Sequence, residues 1–292
     1  MQDFDYMAPG SVDEAVAYLA EYGERASVLA GGTDVIVQLR EGLKQAELVV
    51  DIKKIPELNE LSWTADGGLY LGACTPCFKI YENAELLQKF PGLADAARII
   101  GGWQIQSRAS IGGNLCNSSP AADSVPALIA YDAMAEIAGP TGRRNIPVAE
   151  FCTGPGKNVL QTGDLLVAIV LPGEPAKTGC AYQRFIPRNE MDIAVVGVAS
   201  FVELDDSGNI SKARIAMGAV GPTVIQARKA ASHLIGKQPS EELFAEAGKL
   251  AAEEATPISD MRGTVEFRKN LATVLTKRTL AIAIERATAN NG

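Results

Sequence analysis

Residues 110–123, Ser-Ile-Gly-Gly-Asn-Leu-Cys-Asn-Ser-Ser-Pro-Ala-Ala-Asp, set a paired glycine, small polar residues, a proline and an acid just before an apolar run of helical spacing. Such a stretch reads as a backbone loop that can approach a ligand closely, because glycine removes the side chain and tolerates unusual backbone angles. About eighty residues earlier, Ala30-Gly31-Gly32-Thr33-Asp34 repeats the pattern: the apolar residues Val28 and Leu29, then Gly-Gly, a hydroxyl and an acid. Two such loops can grip one phosphate-bearing ligand through backbone amides. Arg108 is the nearest basic residue to the second loop. A carboxylate repels phosphate, so Asp34 and Asp123 are assigned either to hydroxyls of a sugar or ribityl chain or to the amides of their own turns.

Other chemistry is thinly provided. No Gly-x-Gly-x-x-Gly follows a strand and no Gly-x4-Gly-Lys-Ser/Thr occurs, which disfavours a Rossmann NAD site and a P-loop. The chain has one histidine, His233, on a helical stretch ending at Gly236, where capping or packing is its expected role. A multi-histidine metal site and a Ser-His-Asp triad are thereby disfavoured. Cys74-Thr75-Pro76-Cys77 has the spacing of a thiol redox pair, but two small core residues are the alternative.

The elements that must carry these residues follow from periodicity. Ser11 to Glu14 reads as a capping box opening a helix that stops at Gly23. Strand Ala26–Leu29, the first glycine loop, helix Val35–Arg40 and strand Leu48–Ile52 come next. A strand near Leu69–Leu71 precedes a helix opened by Thr75-Pro76, with threonine as cap and proline at the first position. Pro91–Ile100 reads as a helix ended by Gly101-Gly102, Trp103–Ala109 leads into the second loop, and Ala121–Tyr131 reads as a helix despite Pro126. Strands are expected at 133–138, 144–147 and 165–171. After Pro172-Gly173-Glu174-Pro175, which reads as a linker, three antiparallel strands are expected at 181–186, 195–204 and 210–219, with a hairpin turn at Asp205–Asn209. Helices at 224–235, 241–254 and 266–286 close the chain.

The 292 residues favour two domains, with boundaries expected at 1–175, divided again near residue 55, and 176–292. A net charge of −8 without a basic run argues against nucleic acid or an anionic membrane as partner. The longest apolar run, Leu165 to Leu171, is far short of a bilayer span. Acids without bases among Met1 to Tyr6 and an odd count of five cysteines point to the cytoplasm.

Taken as a set, the two glycine segments, Asp123, Asp164-Leu165-Leu166 before a strand, and Arg188 to Ala194 resemble the signature of the FAD-binding subunit of molybdenum hydroxylases, the xanthine dehydrogenase family, over essentially the whole chain. The resemblance implies an α+β fold. A two-part FAD-binding domain of the vanillyl-alcohol oxidase type is followed by a smaller domain with a three-stranded antiparallel sheet and helices. It also implies that Leu29, Ala30, Gly31, Gly32, Thr33, Asp34 and Val35, with Ser110, Ile111, Gly112, Gly113 and Asn114, hold the pyrophosphate. Asn117 and Asp123 would reach sugar or ribityl hydroxyls, Leu166 would pack on the isoalloxazine, and Arg184 would lie near its reactive edge. The chain departs from the family pattern in having Ser110 for threonine, Ala109 for glycine and Arg184 for lysine. Serine keeps the hydroxyl; arginine keeps the charge and changes its geometry.

The implied cofactor is non-covalent FAD, since neither loop offers a histidine for attachment. Iron-sulfur clusters and molybdopterin would belong to a small and a large partner subunit in a dimer of heterotrimers, with NAD or another acceptor taking the electrons. Gly112→Val is expected to abolish FAD retention through a clash with the cofactor. The rival readings are a stand-alone FAD-dependent oxidase and a flavin-free scaffold.

Overall fold

The computed structural model describes residues 3–188 and 190–290. The first strands, β1 (Asp5–Met7), β2 (Ala26–Leu29) and β3 (Leu48–Asp51), form a parallel sheet in the order β1-β3-β2. Parallel neighbours need crossover connections, and helices α1 (Val12–Tyr22) and α2 (Val35–Arg40) supply them. Ser11 caps α1 by accepting the Glu14 amide, and Glu14 accepts in turn from Gly10 rather than from Ser11. Val12, Ala15, Val16 and Leu19 are its buried face.

A second sheet joins β4 (Leu61–Trp63), β5 (Leu69–Gly72), β6 (Met134–Gly139), β7 (Gly142–Pro147) and β10 (Leu165–Leu171) in the order β4-β5-β10-β6-β7. Its middle strand β10 is apolar throughout because it is paired antiparallel on both edges and covered on both faces: Leu166 and Ile169 face one core, Leu165, Val167 and Ala168 the other. Between β5 and β6 the chain runs through α3 (Cys77–Tyr81), α4 (Ala84–Lys89), α5 (Pro91–Ala97), α6 (Trp103–Gln106), α7 (Ile111–Cys116) and α8 (Ser124–Ala130). A short helix α9 (Val148–Phe151) and the two-stranded ribbon β8 (Cys152–Gly154) and β9 (Lys157–Asn158) precede β10.

The last part is an antiparallel sheet of β11 (Thr178–Phe185), β12 (Val196–Leu204) and β13 (Ile210–Gly218), with the two-residue β14 (Ile225–Gln226) added at its edge. Helices α10 (Arg228–Leu234), α11 (Glu241–Glu254) and α12 (Val265–Ala289) follow, and α12 packs along β11 and β12. The other face of this sheet meets α5 and α8, where Phe90, Tyr131 and Phe201 meet edge to face with centroids 5.2 and 6.1 Å apart. The expected α+β arrangement, a two-part unit followed by an antiparallel sheet with helices, is what the chain adopts.

Three local expectations are corrected. The Gly112-Gly113 stretch is a helix rather than a loop, because Ser110 caps it and Ile111 and Leu115, four residues apart, are both buried. Thr75 does not cap α3; Pro76 stands at the cap with extended backbone, and the Thr75 hydroxyl donates to the Glu60 carbonyl. The start of the 224–235 helix is instead strand β14, and the helix begins at Arg228.

Candidate functional site

A cleft of about 840 Å3 runs between the two sheets of the first part and the start of the third. Ala30 to Val35 line it from the β2–α2 turn, and Ser110, Gly112, Gly113, Asn114 and Asn117 line it from α7. Asp123 stands at the start of α8, Leu166 comes from β10 and Arg184 from β11. Two expected residues are turned away: the Ile111 side chain is buried in the main core and Leu29 packs beside Leu39 and Val49. Of the segment Arg188 to Ala194, Asn189 lies outside the described residues, while Met191, Asp192 and Ile193 edge the cleft.

The two glycine segments touch. A Cβ on Gly31 would lie 2.1 Å from the Arg108 carbonyl oxygen, so only glycine allows the contact. Arg108 Nε donates back to the Gly31 carbonyl at 3.3 Å. Gly32 has φ +82°, a left-handed angle that glycine adopts without the strain other residues incur. The amides of Gly31, Gly32, Thr33 and Asp34 donate to no protein group among the described residues, leaving a row of free donors on the cleft wall. Asn117 Nδ2 donates to Asp34 Oδ1 at 3.5 Å, joining the second segment to the first.

On the α7 side, Ser110 Oγ accepts the Gly113 amide at 3.1 Å. Asn114 Oδ1 accepts from the Ser124 hydroxyl at 2.6 Å, tying α7 to α8. Gly112 and Gly113 differ sharply. A Cβ on Gly112 would sit 2.4 Å from the Ala73 carbonyl oxygen, so the clash expected with a cofactor is first a clash with β5's own continuation. A Cβ on Gly113 would meet only Ser110 Oγ, at 3.2 Å.

Of the charged groups lining the cleft, Asp123, Asp164 and Arg184 are held in close ion pairs, while Glu24 and Asp34 have none among the described residues. Asp123 accepts from the Tyr182 hydroxyl at 2.8 Å through one oxygen and from Arg184 Nη1 at 2.5 Å through the other. Burial raises the Asp123 carboxyl above the ordinary range, opposed by Arg184 and Tyr182, and burial also raises the Tyr182 phenol, with the Asp123 charge adding to it. Asp164 is paired with Arg144 and accepts the Gln161 amide. Lys44, in the turn after α2, also lines the cleft and carries no ion pair among the described residues. Sequence reasoning missed it; its only signal is a lone base two residues after Gly42. Tyr182 was missed as well, and stands behind Asp123 rather than on the cleft wall.

Residues outside the cleft take structural roles. Cys74 and Cys77 belong to different cores, and burial pushes both thiols up to about 12, which makes them small apolar fillers. His233, in the last turn of α10, has Nε2 2.9 Å from Glu246 Oε2 of α11. No group of three metal-ligating side chains occurs among the described residues. Nor is any described helix long and apolar enough to cross a membrane.

Comparison with known proteins agrees with this geometry. Residues 2–174 match the family model of the FAD binding domain in molybdopterin dehydrogenase, and residues 181–283 that of the CO dehydrogenase flavoprotein C-terminal domain. The chain is 34% identical to the xanthine dehydrogenase FAD-binding subunit of Escherichia coli over 98% of each chain. It is 33% identical to the carbon monoxide dehydrogenase medium chain of Hydrogenophaga pseudoflava over 97% of this chain and 98% of that one. The solved carbon monoxide dehydrogenase from that organism superposes with a TM-score of 0.93 over 98% of each chain at 32% identity. Quinoline 2-oxidoreductase from Pseudomonas putida 86 superposes with a TM-score of 0.90 at 28% identity, over 100% of this chain and 99% of that one. Sequence, fold and cleft together place the chain among the FAD-binding subunits of the molybdenum hydroxylases, a family of oxidoreductases of the xanthine dehydrogenase type.

Proposed function

We propose that the chain is the electron-transfer subunit of a molybdenum hydroxylase, receiving electrons from iron-sulfur clusters of a small partner chain and delivering them to NAD or another acceptor. The cleft carries this reading. Its volume of about 840 Å3 lies near the upper end of the roughly 300–1,000 Å3 typical of ligand sites, which suits a dinucleotide. The free amides of residues 31–34 and the side-chain-free surface at Gly113 fit a diphosphate. Accordingly residues 30–35, Ser110 and residues 112–114, with Asn117, are assigned to the diphosphate and sugar, and Leu166 and Arg184 to the ring.

FAD held by these residues would supply the redox chemistry, being able to exchange electrons singly and in pairs. The protein's residues bind and orient. Amides of the first glycine segment neutralise the diphosphate without a side-chain cation. Leu166, the second residue of β10, is fixed in the main core and gives the cleft an apolar edge. Substrate oxidation needs a positioned acid or base. Here the most buried carboxylates of the cleft, Asp123 and Asp164, are bound to arginines and the single histidine lies elsewhere, which supports assigning hydroxylation to a large molybdopterin subunit. The division at 1–55, 56–175 and 176–292 follows the three sheets, and a dimer of heterotrimers is the proposed assembly.

The test is isolation of the tagged chain from its native host, with FAD, iron and molybdenum measured in the complex and in the separated chain. The expected result is FAD on this chain and both metals lost on separation, with no substrate turnover by the chain alone. Turnover by the isolated, FAD-loaded chain would make it a stand-alone oxidase; failure to take up FAD would make it a scaffold.

A further inference from the structure

The β11–β13 sheet has a notch beneath the start of α8. Gly197 on β12 lies opposite Arg184 on β11, and Gly218 on β13 lies opposite Gly197. A Cβ on Gly197 would fall 2.3 Å from the Tyr182 hydroxyl oxygen, so the phenol occupies the space that any other residue at 197 would fill. A Cβ on Gly218 would approach Pro126 and the Pro120 carbonyl at 3.2 and 3.3 Å, so this row of missing side chains also lets the start of α8 settle onto the sheet. The Tyr182 hydroxyl thereby reaches Asp123 Oδ1 at 2.8 Å while Arg184 Nη1 reaches the other oxygen at 2.5 Å. All three side chains are buried, Arg184 at 7% and Asp123 at 10% side-chain exposure.

Tyr182 is fixed from behind as well. Its amide donates to Asp95 Oδ2 of α5 at 3.1 Å, and Arg286 of α12 holds the same carboxylate through two hydrogen bonds. The row Asp95, Tyr182, Asp123, Arg184 thus runs from two packed helices to the cleft wall, and only its last two members line the cleft.

We infer that Tyr182 is a positioning residue that sets the charge presented to the flavin, acting through Asp123 on Arg184. The inference rests on the reading that the cleft holds FAD with its ring beside Leu166 and Arg184. Tyr182 is uncharged and does not line the cleft, so it has no direct field or contact to exert there. What it does is donate to an anion that compensates a cation. With that donor present, Asp123 stays a full counter-charge to Arg184; without it, the buried carboxylate has one hydrogen bond fewer and holds its charge less well. Arg184 is then less compensated, and a more positive cleft favours the electron-rich, reduced flavin.

The experiment measures the midpoint potential of bound FAD and the FAD content of the full chain. Its variants are Tyr182→Phe, Gly197→Ala, Arg184→Gln and the pair Tyr182→Phe with Arg184→Gln. Phenylalanine keeps the ring and removes only the donor, while alanine at 197 keeps the tyrosine and pushes its hydroxyl away. Tyr182→Phe and Gly197→Ala are each expected to raise the potential at unchanged FAD content. Arg184→Gln is expected to lower it, and Tyr182→Phe to have no further effect in that background, since no guanidinium remains to be balanced. Equal shifts from Tyr182→Phe with and without Arg184, or no shift in either single variant, would overturn the inference. A potential insensitive to Arg184→Gln would instead overturn the placement of the ring.

Discussion

Gly112 and Gly113 are neighbours in the chain with opposite surroundings, and the difference separates folding from binding. Gly112→Ala forces a methyl to within 2.4 Å of the Ala73 carbonyl oxygen and 2.7 Å of its Cα, both backbone atoms that cannot swing aside. Overpacking of this kind costs about 1–3 kcal/mol, so thermal unfolding of the flavin-free chain should move down by several degrees. Gly113→Ala meets only the capping hydroxyl at 3.2 Å, and alanine is favoured over glycine inside a helix by about 1 kcal/mol. Its unfolding temperature should equal or slightly exceed that of the unmodified chain, while a fluorescence titration should show FAD bound about tenfold more weakly, equivalent to about 1.4 kcal/mol. Wild-type affinity in Gly113→Ala would remove this surface from the cofactor site. The identity of the two glycines was legible in the sequence; which one has room for a side chain was not, because that depends on where β5 continues beneath α7.

Among the elements, α7 is the one whose character the sequence concealed. Two adjacent glycines weaken a helix by propensity, and only the burial of Ile111 and Leu115 with the Ser110 cap overrides it. Elements with longer patterns were readable: Leu165–Leu171 and Glu241–Glu254 have the bounds that periodicity gives them. The ribbon of β8 and β9 and the four-residue α9 were not, because two to four residues show no period. Since α7 depends on its cap, Ser110→Ala should cost about 1 kcal/mol and also loosen FAD, as the freed Gly113 amide belongs to the cleft wall. Ser110→Thr retains the acceptor and should recover both. Differential scanning fluorimetry with and without FAD checks the pair; an alanine variant with unchanged stability would mean that packing alone holds the helix.

At the scale of the molecule, the first and last parts meet through buried polar contacts that no local pattern announces. The linker proline and glycine residues were visible, but the partner of Glu174 between them was not, since Arg214 stands forty residues on. Glu174 lies beneath β13 with Arg214 Nη2 3.9 Å away, and Arg214 also reaches Asp132, at the end of α8, at 3.9 Å. The guanidinium rests on the Phe201 ring at 4.3 Å, and neither its Nε and Nη1 nor Glu174 Oε1 has a hydrogen-bond partner. Burial pushes the Glu174 carboxyl up to about 7; Arg214 and Lys212 draw it down, and Glu203 and Asp132 add to the rise. A carboxyl whose folded value exceeds its unfolded one binds its proton more tightly in the native state, so folding is favoured at low pH. That contribution is fully present below the unfolded value and is lost as pH rises through the folded one. Between about pH 5 and 8, Glu174 should therefore withdraw on the order of 1–3 kcal/mol from stability. Glu174→Gln cannot ionise, and its amide oxygen can still accept from Arg214. Melting curves of the FAD-saturated chain should nearly coincide for the two proteins at pH 5 and diverge by pH 8, with the glutamine variant the more stable. A glutamine variant that melts lower at pH 8 would show instead that the ionised pair of Glu174 and Arg214 holds the two parts together.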